Sequence, residues 1–448
     1  MFKSTDSILP PSVTHLLHAP CASCRTNHCR GCWTPISCTA SCKGAPKKGE
    51  CTITTCCAAG RAIAIFETLG GLDRQMIGER ATSESRAMAL RKGKAQKSHA
   101  TVGPGGTGYG TDSSYPSYRS APVRTDGVAA PKRSRAEGLA KHWDEMIVRA
   151  FNTLSELLPA PYSDSAQPYD LVPHDSVGIL LSLSMLPELL AGLLRNDSVT
   201  DWITRSETYH AMLRLLRRMA DCEITVQVLL ERRWEVINSP GLEAWMWGEG
   251  EIVWQKDADD VIERGPPLYE YFGKLIKQGQ TFMATVLHMS EARSPEGEET
   301  EETATQGISL CGDIIAAGAD IERIMSILGV CQADVKEDSS SSTDKRYAAA
   351  CDDLAFKHVV LASQDKKGKG TGLVYPNYSF APNLNQTQSA TRNPKNHFRL
   401  ASELAMLATS LPWGVWVRVD EVRIDALYVG LSSLLRHGIE APRPAARS

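Results

Sequence analysis

Nine cysteines fall between positions 21 and 57: Cys21, Cys24, Cys29, Cys32, Cys38, Cys42, Cys51, Cys56 and Cys57. The first four form two Cys-x-x-Cys pairs, CASC and CRGC. A Cys-x-x-Cys turn can present two thiolates to one tetrahedral ion. Nine thiols leave one over for two four-cysteine sites, and His18 or His28 could replace a thiolate. The stretch has few apolar residues, so a metal would have to supply the folding energy, roughly 10–16 kcal/mol for structural zinc. The expectation is a zinc module binding two structural ions. A redox-labile cluster and an iron–sulfur site are the competing readings. No histidine sits at the middle position of a RING pattern, and no strand precedes either pair as in a thioredoxin-type motif.

The elements that would position this cluster are sparse before residue 58 and helical after it. Residues 58–80 carry a short helical pattern that would pack beside the cysteines, which places the module at 1–80. Residues 81–136 lose periodicity, are rich in Gly, Ser, Lys and Arg, and read as a disordered linker. Within it, GPGGTGYG lacks the Gly-Lys-Ser/Thr ending of a phosphate loop. KRSR reads either as a nuclear-import patch or as solvated linker.

A helical body is expected over 137–335, either irregular or armadillo-like. Asp175 and Ser176 offer N-cap chemistry to one helix running to Arg195. Tyr209, Met212, Leu213, Leu216 and Met219 form an apolar stripe, with Arg214, Arg217 and Arg218 largely on the other side. Trp245, Trp247 and Trp254 crowd a non-periodic stretch read as packing on the helices or as a peptide-binding surface. Residues 294–307 read as an acidic loop. Residues 336–396 read as a linker with one helix over RYAAACDDLAFKHVVLA.

Composition bounds the partners. The chain has 448 residues, 42% hydrophobic, with a net charge of −3. That balance argues against a whole-protein nucleic-acid footprint, although residues 21–135 would be the place for one. No apolar run reaches the length of a membrane span. The N-terminus makes a poor signal peptide. The expectation is an intracellular protein of cytoplasm or nucleus, for which metal is a better reading of the cysteines than disulfides.

The C-terminal segment, 397–448, has an explicit pattern. Leu400, Leu404, Leu407 and Leu411 make a helical stripe, and Pro412 and Gly414 end it. Val415, Val417 and Val419 then alternate as a half-buried strand, with a second strand expected from Arg423. This order resembles the opening of a ubiquitin-conjugating (UBC) fold, most closely that of the giant BIR-containing conjugating enzymes. The resemblance rests on Ser410, Leu411, Pro412, Val417, Arg418, Asp420, Glu421, Arg423 and Asp425. The cysteine-rich start, CWTPISC followed by CCAAGRAIAIFETLGGLDRQ, also resembles large fungal UBC-domain proteins.

The resemblance implies a mainly α chain ending in an α/β UBC fragment, with a role in ubiquitin transfer. It implies that the first UBC helix meets the activating enzyme and RING-type ligases, with Arg399, Ser402 and Glu403 as the candidate surface. It further implies a catalytic cysteine and a His-Pro-Asn beyond the second strand. Neither is present after Asp425, so this chain is expected to be inactive and its UBC segment truncated. The alternative is a non-catalytic zinc and helical-repeat scaffold for protein partners.

Overall fold

The computed structural model describes residues 13–39, 42, 51, 53–98, 132–258, 260–287, 298–329, 342–361, 363–364, 373–375, 378–386, 394–421 and 423–431. The stretch poor in apolar residues forms only short elements. These are a helical turn α1 (Val13–Leu16) and an antiparallel sheet of β1 (His18–Pro20), β2 (Thr26–Cys29) and β3 (Pro35–Thr39). Helix α2 (Ala58–Ser98) follows, continuing to Ser98 rather than stopping near residue 80. Ala62, Ile65, Leu69, Leu72 and Met76 recur at spacings of three and four and are buried. Leu17, Ile36 and Ile53 share one core with them. Of the linker expected at 81–136, residues 81–98 belong to α2, a helix begins again at Lys132, and 99–131 lie outside the described residues.

The body is mainly helical: α3 (Lys132–Leu157), α4 (Pro168–Leu171), α5 (Ser176–Leu183), α6 (Leu186–Leu194), α7 (Val199–Thr204), α8 (Ser206–Ala220) and α9 (Glu223–Leu230). Two small ladders follow, in which β4 (Arg233–Trp234) pairs with β7 (Arg264–Gly265) and β5 (Val236–Asn238) with β6 (Val253–Trp254). The short helix α10 (Leu242–Met246) lies between β5 and β6. Helices α11 (Leu268–Leu287) and α12 (Glu298–Leu328) complete the body, so the acidic run expected as a loop is helical from Glu298. The α8 stripe Tyr209, Met212, Leu213, Leu216 and Met219 is buried, and α8 packs on α3, α9 and α12. Its arginines are paired: Arg214 donates to Asn152 at 3.0 Å, and Arg217 meets Asp320 at 3.1 Å. Trp245 and Trp247 are exposed, and Trp254 is half-buried and lies against Trp234 with ring centroids 5.9 Å apart.

The helix expected from Ser176 to Arg195 is two, α5 and α6, meeting at Ser184 and Met185. Asp175 makes no capping bond. Asp73 of α2 decides the break: its carboxylate accepts from the backbone N–H of Met185 and of Leu242, each at 2.9 Å. It thus caps the start of α6 and of α10 from outside. No single helix among the described residues is long and apolar enough to cross a membrane. α5 and α6 reach that character only together, across a 61° bend, and Leu181, Leu186 and Leu190 are core residues.

The C-terminal elements are α13 (Ser342–Ala355), β8 (Phe356–Val359), β9 (Ser363–Gln364), β10 (Leu373–Val374), α14 (Ala381–Gln386), α15 (Pro394–Ser410), β11 (Val415–Asp420) and β12 (Leu427–Leu431). The helix expected across FKHVV ends at Ala355, because Phe356–Val359 pairs in parallel with β11. The second strand begins at Leu427, not Arg423; residues 423–426 form the turn before it. Leu404 faces Phe356, Val417, Val419 and Ile424, with Leu400, Leu407 and Leu411 at the margin. On its other side α15 packs against α11: Ala401 and Ala405 join the body's core, and Phe398 meets Phe282 edge-on with centroids 5.8 Å apart.

Candidate metal centre

The small sheet brings the cysteines together, and β2 is its centre. Successive strand residues point to opposite faces, so four residues of β2 serve three groups of metal-ligating side chains. Cys29 points inward to the first group. Asn27 also points inward and donates to Cys38 Sγ of the second at 3.4 Å. His28 faces the third, with Cys21 and Cys24.

The first group is Cys29, Cys32, Cys56 and Cys57, whose Sγ atoms all lie within 4.8 Å of one another. The Cys29–Cys57 and Cys32–Cys56 separations are 3.8 and 3.6 Å. Four thiolates around one zinc at about 2.3 Å lie about 3.8 Å apart, so the set matches a tetrahedral ion. Cys57 immediately precedes α2, where the helix N-terminus favours negative charge. The backbone N–H of Gly60 donates to Cys57 Sγ at 3.1 Å and that of Gly31 to Cys29 Sγ at 3.3 Å. Gly31 is required there: a Cβ would lie 2.3 Å from the Gly60 nitrogen.

The second group is His18, Cys38, Cys42 and Cys51. His18 is buried, with Nδ1 2.7 Å from the Thr14 carbonyl and Nε2 3.1 Å from Cys51 Sγ. A proton on Nδ1 donated to that carbonyl leaves Nε2 with its lone pair aimed into the cluster, the arrangement a ligating histidine uses. The nine cysteines thus divide into a four-cysteine set, a three-cysteine set completed by His18, and Cys21 with Cys24. Sequence spacing puts both Cys-x-x-Cys pairs forward equally, but only Cys29–Cys32 finds two more thiols. Cys56 and Cys57 reach it because α2 starts beneath the sheet.

Without metal the thiols are unevenly poised. The Thr34 hydroxyl beside Cys32 lowers its pKa to about 6. Burial pushes Cys57 up to about 12 and Cys51 up to about 11. Both four-residue sets could hold zinc. Three of the four cysteines outside the cluster are elsewhere in the fold: Cys222 and Cys311 are buried in the body, and Cys351 lies on α13. Cys331 lies outside the described residues.

The other candidate residues lie on α15. Arg399 and Glu403 are exposed and form an i,i+4 pair at 2.9 Å, while Ser402 is half-buried and donates to the Phe398 carbonyl at 2.9 Å. Three of the residues that carry the UBC resemblance, Asp420, Arg423 and Asp425, meet in the turn after β11. Asp420 is fully buried and accepts from Leu361 N–H at 2.7 Å, Arg423 N–H at 2.9 Å and the Tyr375 hydroxyl at 3.0 Å. Arg423 grips Asp425 through two N–H donors and donates to the Leu384 carbonyl at 2.7 Å.

Comparison with curated proteins places this chain beside very large enzymes. It is 28% identical over 273 residues to the human "Dual E2 ubiquitin-conjugating enzyme/E3 ubiquitin-protein ligase BIRC6", covering 56% of this chain. It is 26% identical over 284 residues to the mouse protein of the same description. This chain is distantly similar to BIRC6. The match spans 5% of the length of each relative. No family model and no solved structure matches the chain.

Proposed function

We propose that this chain acts in ubiquitin conjugation as a metal-stapled helical segment leading into a UBC-type module. The observation that carries the reading is the distant similarity to BIRC6. It is supported by the order of α15, β11 and β12, in which a leucine-striped helix leads through Pro412 and Gly414 into an antiparallel pair. The exposed Arg399 and Glu403 are the part of α15 that a partner such as the activating enzyme or a RING-type ligase would meet. Zinc at the two four-residue sets would fasten the N-terminal sheet to α2, a structural role.

A second reading is a non-catalytic scaffold, in which the mainly helical body presents partners to a conjugating centre. Incubation with activating enzyme, ATP and ubiquitin tests both readings. The expected result is no reductant-sensitive adduct, with saturable binding to activating enzyme or ligase that Arg399→Glu weakens. An adduct lost on reduction would overturn the non-catalytic role. Absence of binding to any ubiquitin-pathway component would overturn the pathway assignment. Deleting α15 is a poor test, because Ala401 and Ala405 belong to the body's core.

A further inference from the structure

The cluster contains a short repeat that the two four-residue sets leave half unused. Cys21-Ala-Ser-Cys24-Arg-Thr26 is followed eight positions later by Cys29-Arg-Gly-Cys32-Trp-Thr34. The two segments fold alike. Cys21 N–H donates to the Thr26 carbonyl and Cys29 N–H to the Thr34 carbonyl, both at 3.0 Å. Arg25 N–H returns to the Cys21 carbonyl at 3.0 Å and Trp33 N–H to the Cys29 carbonyl at 2.9 Å. The threonine hydroxyls lie 2.9 Å from Cys24 Sγ and 2.8 Å from Cys32 Sγ. The residue after each second cysteine is left-handed, Arg25 at φ 54° and Trp33 at φ 59°. Neither is glycine, and a side chain in this region costs free energy. Both turns accept it in the same place to aim two sulfurs at one point.

In the second turn that point is completed by Cys56 and Cys57. In the first, His28 arrives from the outward face of β2, with Nε2 4.0 Å from Cys24 Sγ, and the donor atoms of Cys21, Cys24 and His28 lie within 4.8 Å of one another. No fourth Cys, His, Asp or Glu joins them among the described residues. Cys24 is exposed, whereas Cys29 and His18 in the other groups are buried. Thiols and imidazole are zinc ligands, and three protein ligands with an open fourth position make an exchangeable rather than a closed site.

We propose that Cys21, Cys24 and His28 bind a third zinc ion whose fourth position is open to a donor from outside. The inference rests on the metal reading of the cluster. Binding releases the two thiol protons, so Zn²⁺ with two thiolates and a neutral imidazole carries no net charge. The four-cysteine set with its ion carries −2, and the His18 set −1. The third site is therefore the one that carries no negative charge and has an open position to accept an anionic ligand.

The test uses the full chain, purified with zinc in excess and desalted. Metal content by atomic emission is expected at three equivalents per chain, one of them released first to a weak colorimetric chelator. In Cys21→Ser/Cys24→Ser, two equivalents and no early release are expected, with an unchanged circular dichroism spectrum. In the cobalt-substituted chain, thiocyanate should shift one visible band, and the double variant should lose that shift. Two equivalents in the unaltered chain would overturn the third site while leaving the other two standing. Fewer than two would overturn the metal reading as a whole. Three equivalents retained by the double variant would place the third ion elsewhere and overturn the assignment to these residues. A third ion indifferent to thiocyanate would overturn the open position.

Discussion

Each end of the described chain fastens a three-stranded sheet to the same helical body, and the two use different chemistry. At the N-terminal end, β1, β2 and β3 turn Asn27 and Cys29 inward and place Leu17 and Ile36 in the core. Little apolar area is available there, and the inward side chains are metal donors and their supports. At the C-terminal end, β12, β11 and β8 present Val417, Val419 and Phe356 to the leucine stripe of α15. A carboxylate, Asp420, then ties the turn and the neighbouring chain by accepting three hydrogen bonds. The supply of large apolar side chains decides between them. Where it is sufficient, burial and a few buried polar bonds hold a sheet; where it is not, thiol sets that could hold zinc stand in its place.

The largest expected effect separates the two ends outright. Removal of zinc by a strong chelator should cost the N-terminal sheet on the order of 10 kcal/mol. Hydrogen exchange should then rise in β1, β2 and β3 while β8, β11 and β12 keep their protection. Equal loss at both sheets would break the distinction. The converse experiment is Asp420→Ala, which strands three donors at a fully buried site. It should cost about 3–5 kcal/mol, read as a lower denaturant midpoint with zinc content unchanged.

The body common to both ends has its own signature. Burial raises the Asp73 pKa from 3.8 to about 6, partly offset by the N–H donors of Leu242 and Met185. A carboxyl whose folded pKa is raised contributes stability that is complete below the unfolded value. That contribution is lost as pH rises through the folded value. Between about pH 4 and pH 6 the protein should therefore lose roughly 2 kcal/mol relative to Asp73→Asn at matched zinc loading. Parallel stability curves for the two proteins would show that Asp73 keeps its ordinary pKa. The smallest effect belongs to the α15 surface. Arg399→Ala removes an exposed ion pair worth at most about 0.5 kcal/mol. A midpoint shift near zero, combined with weakened partner binding, is what a contact surface predicts.

Legibility followed the range of the interactions. The stripe at Leu400, Leu404, Leu407 and Leu411 and the alternation at Val415, Val417 and Val419 are local periodicities, and both elements form where they lie. Strand β8 was invisible, because nothing between Ala355 and Phe356 signals a stop. It is a strand only by pairing with β11, some sixty residues later. The break between α5 and α6 has a local hint in Pro187, but its cause is Asp73, more than a hundred positions earlier. The packing of α15 on Phe282 and the rest of α11 has no local signal for the same reason.

The amino-acid sequence by itself determined the donor types, the two Cys-x-x-Cys-x-Thr turns and the apolar stripes, because these depend on neighbours within a turn or two. Which thiols share a group was decided only in three dimensions. Cys29 and Cys32 meet Cys56 and Cys57 because α2 starts under the sheet. His18 joins Cys51 across thirty-three positions because its Nδ1 is tied to Thr14. Ligand sets are assembled by distance in space, and spacing along a chain bounds that distance without setting it.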